Sequence, residues 1–134
     1  MAKLTIIDNQ DVTLYYHEET QIVHHELHKF IKGDTFREAL LRGLDLIKNN
    51  GAKKWLSDDR QNGALTPADT DWAITVWSPQ VIQAGWKYWA IVLPEVVVGQ
   101  LNMKRFAKDY AQKGVTVELF TDPDAALKWL EEVK

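Results

Sequence analysis

Apolar and polar positions in this chain recur with two different periods, and the alternation between them sets out the elements. Val12–His17, VTLYYH, is rich in β-branched and aromatic residues, and so is the run from Ile22 to Ile31. The short polar link Glu18-Glu19-Thr20 between them has hairpin length, which predicts an antiparallel pair. Leu4–Ile7 predicts one further short strand in front. From Phe36 the period changes: Phe36, Leu40, Leu44 and Ile47 fall on one face of a helix, with Gly51 placed for a left-handed cap. Thr35 and Glu38, three residues apart, have the spacing of a capping box for that helix.

The same alternation continues to the end of the chain. Lys53–Leu56 predicts an interior strand, and Thr66-Pro67 with Asp69 predicts a capped helix start. Trp72, Ala73, Val76 and Trp77 supply that helix's apolar face, and Ser78-Pro79 should interrupt it, since proline lacks the helical donor. Lys87–Leu93 is short and almost wholly apolar, as a strand covered on both faces should be. A helix over Gln100–Lys113, a strand over Val115–Phe120 and a last helix capped by Asp122 with Pro123 complete the order. The expectation is a single α/β domain over residues 1–134, with a mixed sheet of about five strands in β-β-α-β-α-β-α-β-α order.

Composition narrows the chemistry. Cysteine is absent, which excludes thiol catalysis, disulfides and cysteine-ligated metal. A net charge of −3, with lysine and arginine interleaved among acids, argues against a nucleic-acid surface. No apolar run approaches bilayer length, so no stable membrane association is expected. The opening MAKLTIIDNQD has too short an apolar stretch for a signal peptide, and the expected location is cytoplasmic. Glycines stand singly, without a phosphate loop or nucleophile elbow, and no cofactor is implied.

Four segments, YYHEETQIVHHELH, NNGAKKWLSD, GWKYWAIVLP and VTVELFTDPDAALKWL, together resemble the SpoIIAA-like group, relatives of the STAS domains of anti-sigma-factor antagonists. The resemblance covers nearly the whole chain. It implies a bacterial regulatory or binding module that acts through a protein partner, a small ligand or a homodimer contact, rather than an enzyme. STAS regulators carry a phosphorylated serine in an Asp-Ser-Ser-Gly-like turn, and that motif is absent. Ser57 holds a comparable place, but Asp58 and Asp59 beside it would repel a phosphate. Thr66, at a helix N-terminus, is electrostatically the better acceptor.

Three constellations carry candidate chemistry. In an open parallel sheet, ligands dock outside the carboxyl ends of the strands, where strand order reverses. Ser57, Asp58, Asp59, Arg60, Thr66 and Glu95 should gather there and contact a small polar ligand, with Lys32, Asp34, Thr35, Thr121 and Asp122 nearby. An enzyme reading makes Asp58 or Asp59 a general base and Arg60 an anion clamp; turn solvation and an exposed ion pair explain the same residues. His24, Glu26 and His28 project from one strand face and suggest a metal only if His17 joins them; a polar sheet face is the plainer account, and no metal is expected. Trp72, Trp77, Trp86 and Trp89 read as core, or as a ligand or dimer surface, and Val96-Val97-Val98, expected in a loop, adds to the dimer reading. A lipid carrier, by fold analogy with CRAL-TRIO domains, is the third class.

Overall fold

The computed structural model describes residues 3–133. Six strands form one mixed sheet in the order β1 to β6: β1 Lys3–Asp8, β2 Val12–His17, β3 Ile22–Leu27, β4 Lys54–Asp58, β5 Tyr88–Val92 and β6 Thr116–Phe120. The first three pair antiparallel as a meander, and β3 through β6 run parallel. Every strand therefore lies beside its predecessor. The single mixed α/β sheet follows the expected order, with the N-terminal strand as a full sixth member.

Between the parallel strands run α1 Asp34–Asn50, the segment α2 Pro67–Trp72 with α3 Ser78–Gln83, and α4 Val97–Gln112; α5 Pro123–Glu132 follows β6. Parallel neighbours joined by crossovers of one hand place all connecting helices on one face. That face holds the larger core, in which Leu14, Val23, Trp55 and Trp89 of the sheet pack against Phe36, Leu44, Trp77, Val81, Phe106 and Tyr110. On the opposite face, among the described residues, α5 is the helix that covers Ile22, Leu56, Ala90 and Val92, using Ala126 and Leu130. Since the order never reverses, the sheet has no switch-point crevice of the kind the sequence suggested.

Local chemistry accounts for most boundaries. Thr66 caps α2 by accepting the Asp69 N–H at 3.1 Å, and Asp122 caps α5 by accepting from Asp124 N–H at 3.1 Å, each with proline at the first helical position. Gly51 closes α1 at φ +65°, as expected. The Thr35–Glu38 capping box does not form. Helix α1 begins two residues earlier behind Gly33, whose φ of +66° suits glycine, and the Gly33 N–H is satisfied across the fold by Asp69 Oδ2 at 2.9 Å. Pro79 does not break the second helical segment: Ala73–Trp77 widens into a π-turn, the Ser78 N–H reaches Ala73 O, and the chain continues into α3. Val97 and Val98 belong to the first turn of α4, with Val96 as its N-cap, so they are helical rather than in a loop.

Gly43 on α1 marks the closest approach of helix to sheet. A Cβ there would run into the Trp55 ring. The missing side chain is what lets the indole lie under the helix.

Candidate functional site

Strand alternation decides where the sequence-predicted residues point. On β4, Trp55 and Ser57 face the α1–α4 side, and Leu56 and Asp58 face the α5 side, with Asp59 just past the strand returning to the first. The two adjacent carboxylates are therefore on opposite sides of the sheet. Both are nearly inaccessible, Asp58 at 2% and Asp59 at 3% exposure.

Asp58 is paired with a fixed charge. Arg60 donates from Nε to Oδ1 and from Nη2 to Oδ2, each at 2.9 Å, a bidentate fork. That hydrogen bond is the main reason the guanidinium pKa is raised. Asp59 has a different partner. Its Oδ1 lies 2.8 Å from His25 Nε2, while His25 Nδ1 lies 3.0 Å from the indole nitrogen of Trp55. An indole nitrogen can only donate, so His25 accepts at Nδ1 and gives its one proton at Nε2 to Asp59. The imidazole in this arrangement is neutral.

Ser57 lies opposite His25 in the β3–β4 register, and its Oγ accepts the Trp89 indole N–H at 2.8 Å. Serine, histidine and aspartate thus stand close together without forming a nucleophilic triad, because both His25 nitrogens are already engaged and Ser57 has no base. At 3% exposure Ser57 is also closed to a kinase.

These three residues form the polar end of a cavity of about 50 Å³. Its walls come from several elements on that face: Leu27 from β3, Phe36 and Leu40 from α1, Trp89 from β5, and Met103, Phe106 and Tyr110 from α4. Asn62 and Leu65 of the β4–α2 loop line it too, together with Ala73 and Trp77 of the π-turn. The rings interlock: Trp55–Trp77 at 5.3 Å and 87°, Trp77–Trp86 at 5.4 Å, Trp86–Trp89 at 5.2 Å and Trp89–Tyr110 at 5.2 Å between centroids. Burial pushes the Tyr110 pKa up to about 12, against a hydrogen bond with Ser78 that works the other way, so its phenol stays protonated near neutrality and is no general base. The loop is held in place by Asn62, which accepts the Ile31 N–H at 3.3 Å, and by Asn102, which accepts the Leu65 N–H at 3.2 Å.

The other sequence-selected residues lie elsewhere. Thr66 is occupied as a cap, and Glu95 is exposed, its N–H donating to Arg60 O at 3.1 Å. Trp72 stands apart from the indole cluster, edge-to-face with Phe36 and beneath Arg37. On the sheet face that α5 leaves open, His17 and His24 stack with their nitrogens 3.1 Å apart, while His28 bonds Thr13 Oγ1 at 2.7 Å. Burial, with His17 next, drives the His24 pKa down to about 3. Among the described residues no three acidic or histidine side chains are arranged to hold a metal ion, so the His17, His24, Glu26 and His28 grouping is not assembled as a metal site. No described helix is long and apolar enough to cross a membrane.

No protein-family model, curated protein or solved structure matches the chain.

His25 is the site residue that the sequence reading passed over. Its signal was present: if His24, Glu26 and His28 share a polar face, His25 must share the buried one with Val23 and Leu27. A histidine at an apolar position needs hydrogen-bond partners, and Trp55 on the neighbouring strand and Asp59 just past its end supply them.

Proposed function

We propose that this protein is a non-enzymatic, SpoIIAA-like binding module whose ligand is a small molecule taken into the aromatic cavity between the sheet and α1–α4. The observation that carries this reading is the cavity itself: apolar walls with Asp59, His25 and Ser57 converging at one end. Apolar concavities with a few convergent polar groups are the usual form of a small-molecule site. The π-turn in the wall adds support, because such turns recur at functional sites at some cost in helical hydrogen bonding.

Binding is favoured over catalysis for a stated reason. Of the two candidate bases in the enzyme reading, Asp59 lies on the other side of the sheet from the Arg60 clamp, and Asp58 is itself held by Arg60 in a bidentate fork that occupies both the acid and the clamp. Within the cavity the polar groups are already hydrogen-bonded to one another, which fixes orientation and leaves no activated nucleophile.

A thermal-shift and native mass spectrometry screen of small metabolites against wild type and Ala73→Leu tests the reading, the added side chain being directed into the cavity. Compounds are expected to raise the wild-type Tm by several degrees and to leave the variant unmoved. Equal shifts in both proteins, or no compound bound by wild type, would reject the cavity as the site.

A further inference from the structure

The cavity holds a charge that nothing in the described structure neutralises. Asp59 is 3% exposed, and its side-chain partner is a neutral imidazole. Among the described residues no lysine or arginine pairs with it, and the nearest in sequence, Arg60, is committed to Asp58. Buried carboxylates ordinarily come with a cation, because leaving one alone in an apolar setting is costly. The surroundings deepen the imbalance. Trp55, Trp77, Trp86 and Trp89 line the same space, and indole rings carry negative faces that attract cations.

We infer that the ligand of this cavity is a small organic cation, a protonated or methylated amine. The inference rests on the cavity being a ligand site and adds what that ligand must carry. An amine supplies the positive charge that Asp59 lacks, and its methyl or methylene groups suit walls made almost wholly of rings and aliphatic carbon. A free metal ion would find one carboxylate and little else, since no three-ligand group is present among the described residues. An anion would meet Asp59 directly. Size agrees as well: about 50 Å³ admits roughly four water-sized groups at about 10–15 Å³ each, the scale of a methylated ammonium head rather than a fused ring system.

The experiment uses matched probes on the intact protein. The indole N–H signals of Trp55 and Trp89, which donate to His25 and Ser57 at the polar end, are followed in ¹H–¹⁵N spectra. Methylammonium and tetramethylammonium chloride are titrated at constant ionic strength, alongside their neutral counterparts methanol and tert-butanol. Saturable shifts are expected with the cations, and affinity about tenfold lower for the neutral partner of each pair. Asp59→Asn, which keeps the hydrogen bond to His25 and removes the charge, should weaken the cations by about tenfold and leave the neutral probes unchanged. Neutral probes that bind as well as the cations would overturn the charge preference and leave the cavity as a ligand site. So would an Asp59→Asn protein that binds cations as wild type does. If no probe moves either indole, both the cation and the cavity reading fall; the wild-type comparison needs no variant to fold.

Discussion

The two sides of β4 solve the same problem in opposite ways. Asp58 and Asp59 are neighbours, equally buried, and of the same chemistry. On the α5 side Asp58 receives a bidentate guanidinium, and the charge is settled within the fold. On the α1–α4 side Asp59 receives an imidazole that is itself held neutral by Trp55. The lesson is that adjacent acids in a sequence need not form a pair. A strand sends them apart, and the one left without a counter-charge is the one we propose to meet the ligand.

The difference is open to attack at three points. The largest effect is expected on the aromatic side. Trp55→Ala removes a ring that touches Trp77, Trp86 and His25 and sits under Gly43, and should cost about 3–5 kcal/mol in urea unfolding. A loss below about 1 kcal/mol would mean that the cavity wall is not packed as described.

An intermediate effect belongs to the open polar face. His24 titrates near 6.5 in an unfolded chain and at about 3 in the folded one. The unfolded state therefore binds the extra proton as pH falls below about 6.5, so stability declines with acid and the decline ends near the folded pKa. Between pH 7 and pH 5 the loss should be about 2 kcal/mol, and His24→Gln should remove most of it. A wild-type stability that is flat over this range would contradict the buried histidine pair.

The smallest effect compares the two acids directly. Asp58→Asn breaks the fork and leaves a partly exposed Arg60 to solvent, with an expected loss of about 1–2 kcal/mol. Asp59→Asn should change stability by less than about 0.5 kcal/mol or raise it, because the hydrogen bond survives while an uncompensated charge is deleted. Equal losses from both substitutions would erase the distinction between the two faces.

How far these features were legible follows from how local their causes are. The caps at Thr66-Pro67 and Asp122-Pro123 were readable because the side chain, the proline and the first free N–H all lie within four residues. The start of α1 was not, because the group that satisfies Gly33 comes from Asp69, on another helix. Proline at position 79 predicted a break where the helix instead loosens by one residue per turn, a choice made by the packing of Ala73 and Trp77. The interior place of β4 was readable from its apolar run. Strand order was not, since no local signal says whether successive crossovers continue in one direction or turn back. For the site, period-two alternation already separated Asp58 from Asp59 and assigned His25 to the buried face. Reading Ser57–Arg60 as one cluster overlooked it.

The unbroken succession of strands also bears on how the chain acquires its shape. A sheet in which each strand pairs with the one before it can be laid down in the order of synthesis, without waiting for a distant partner. The exception is the last helix. Until Pro123–Glu132 has been made, the strip formed by Ile22, Leu56, Ala90 and Val92 faces water, and the nascent molecule is open to self-association along it until that helix emerges.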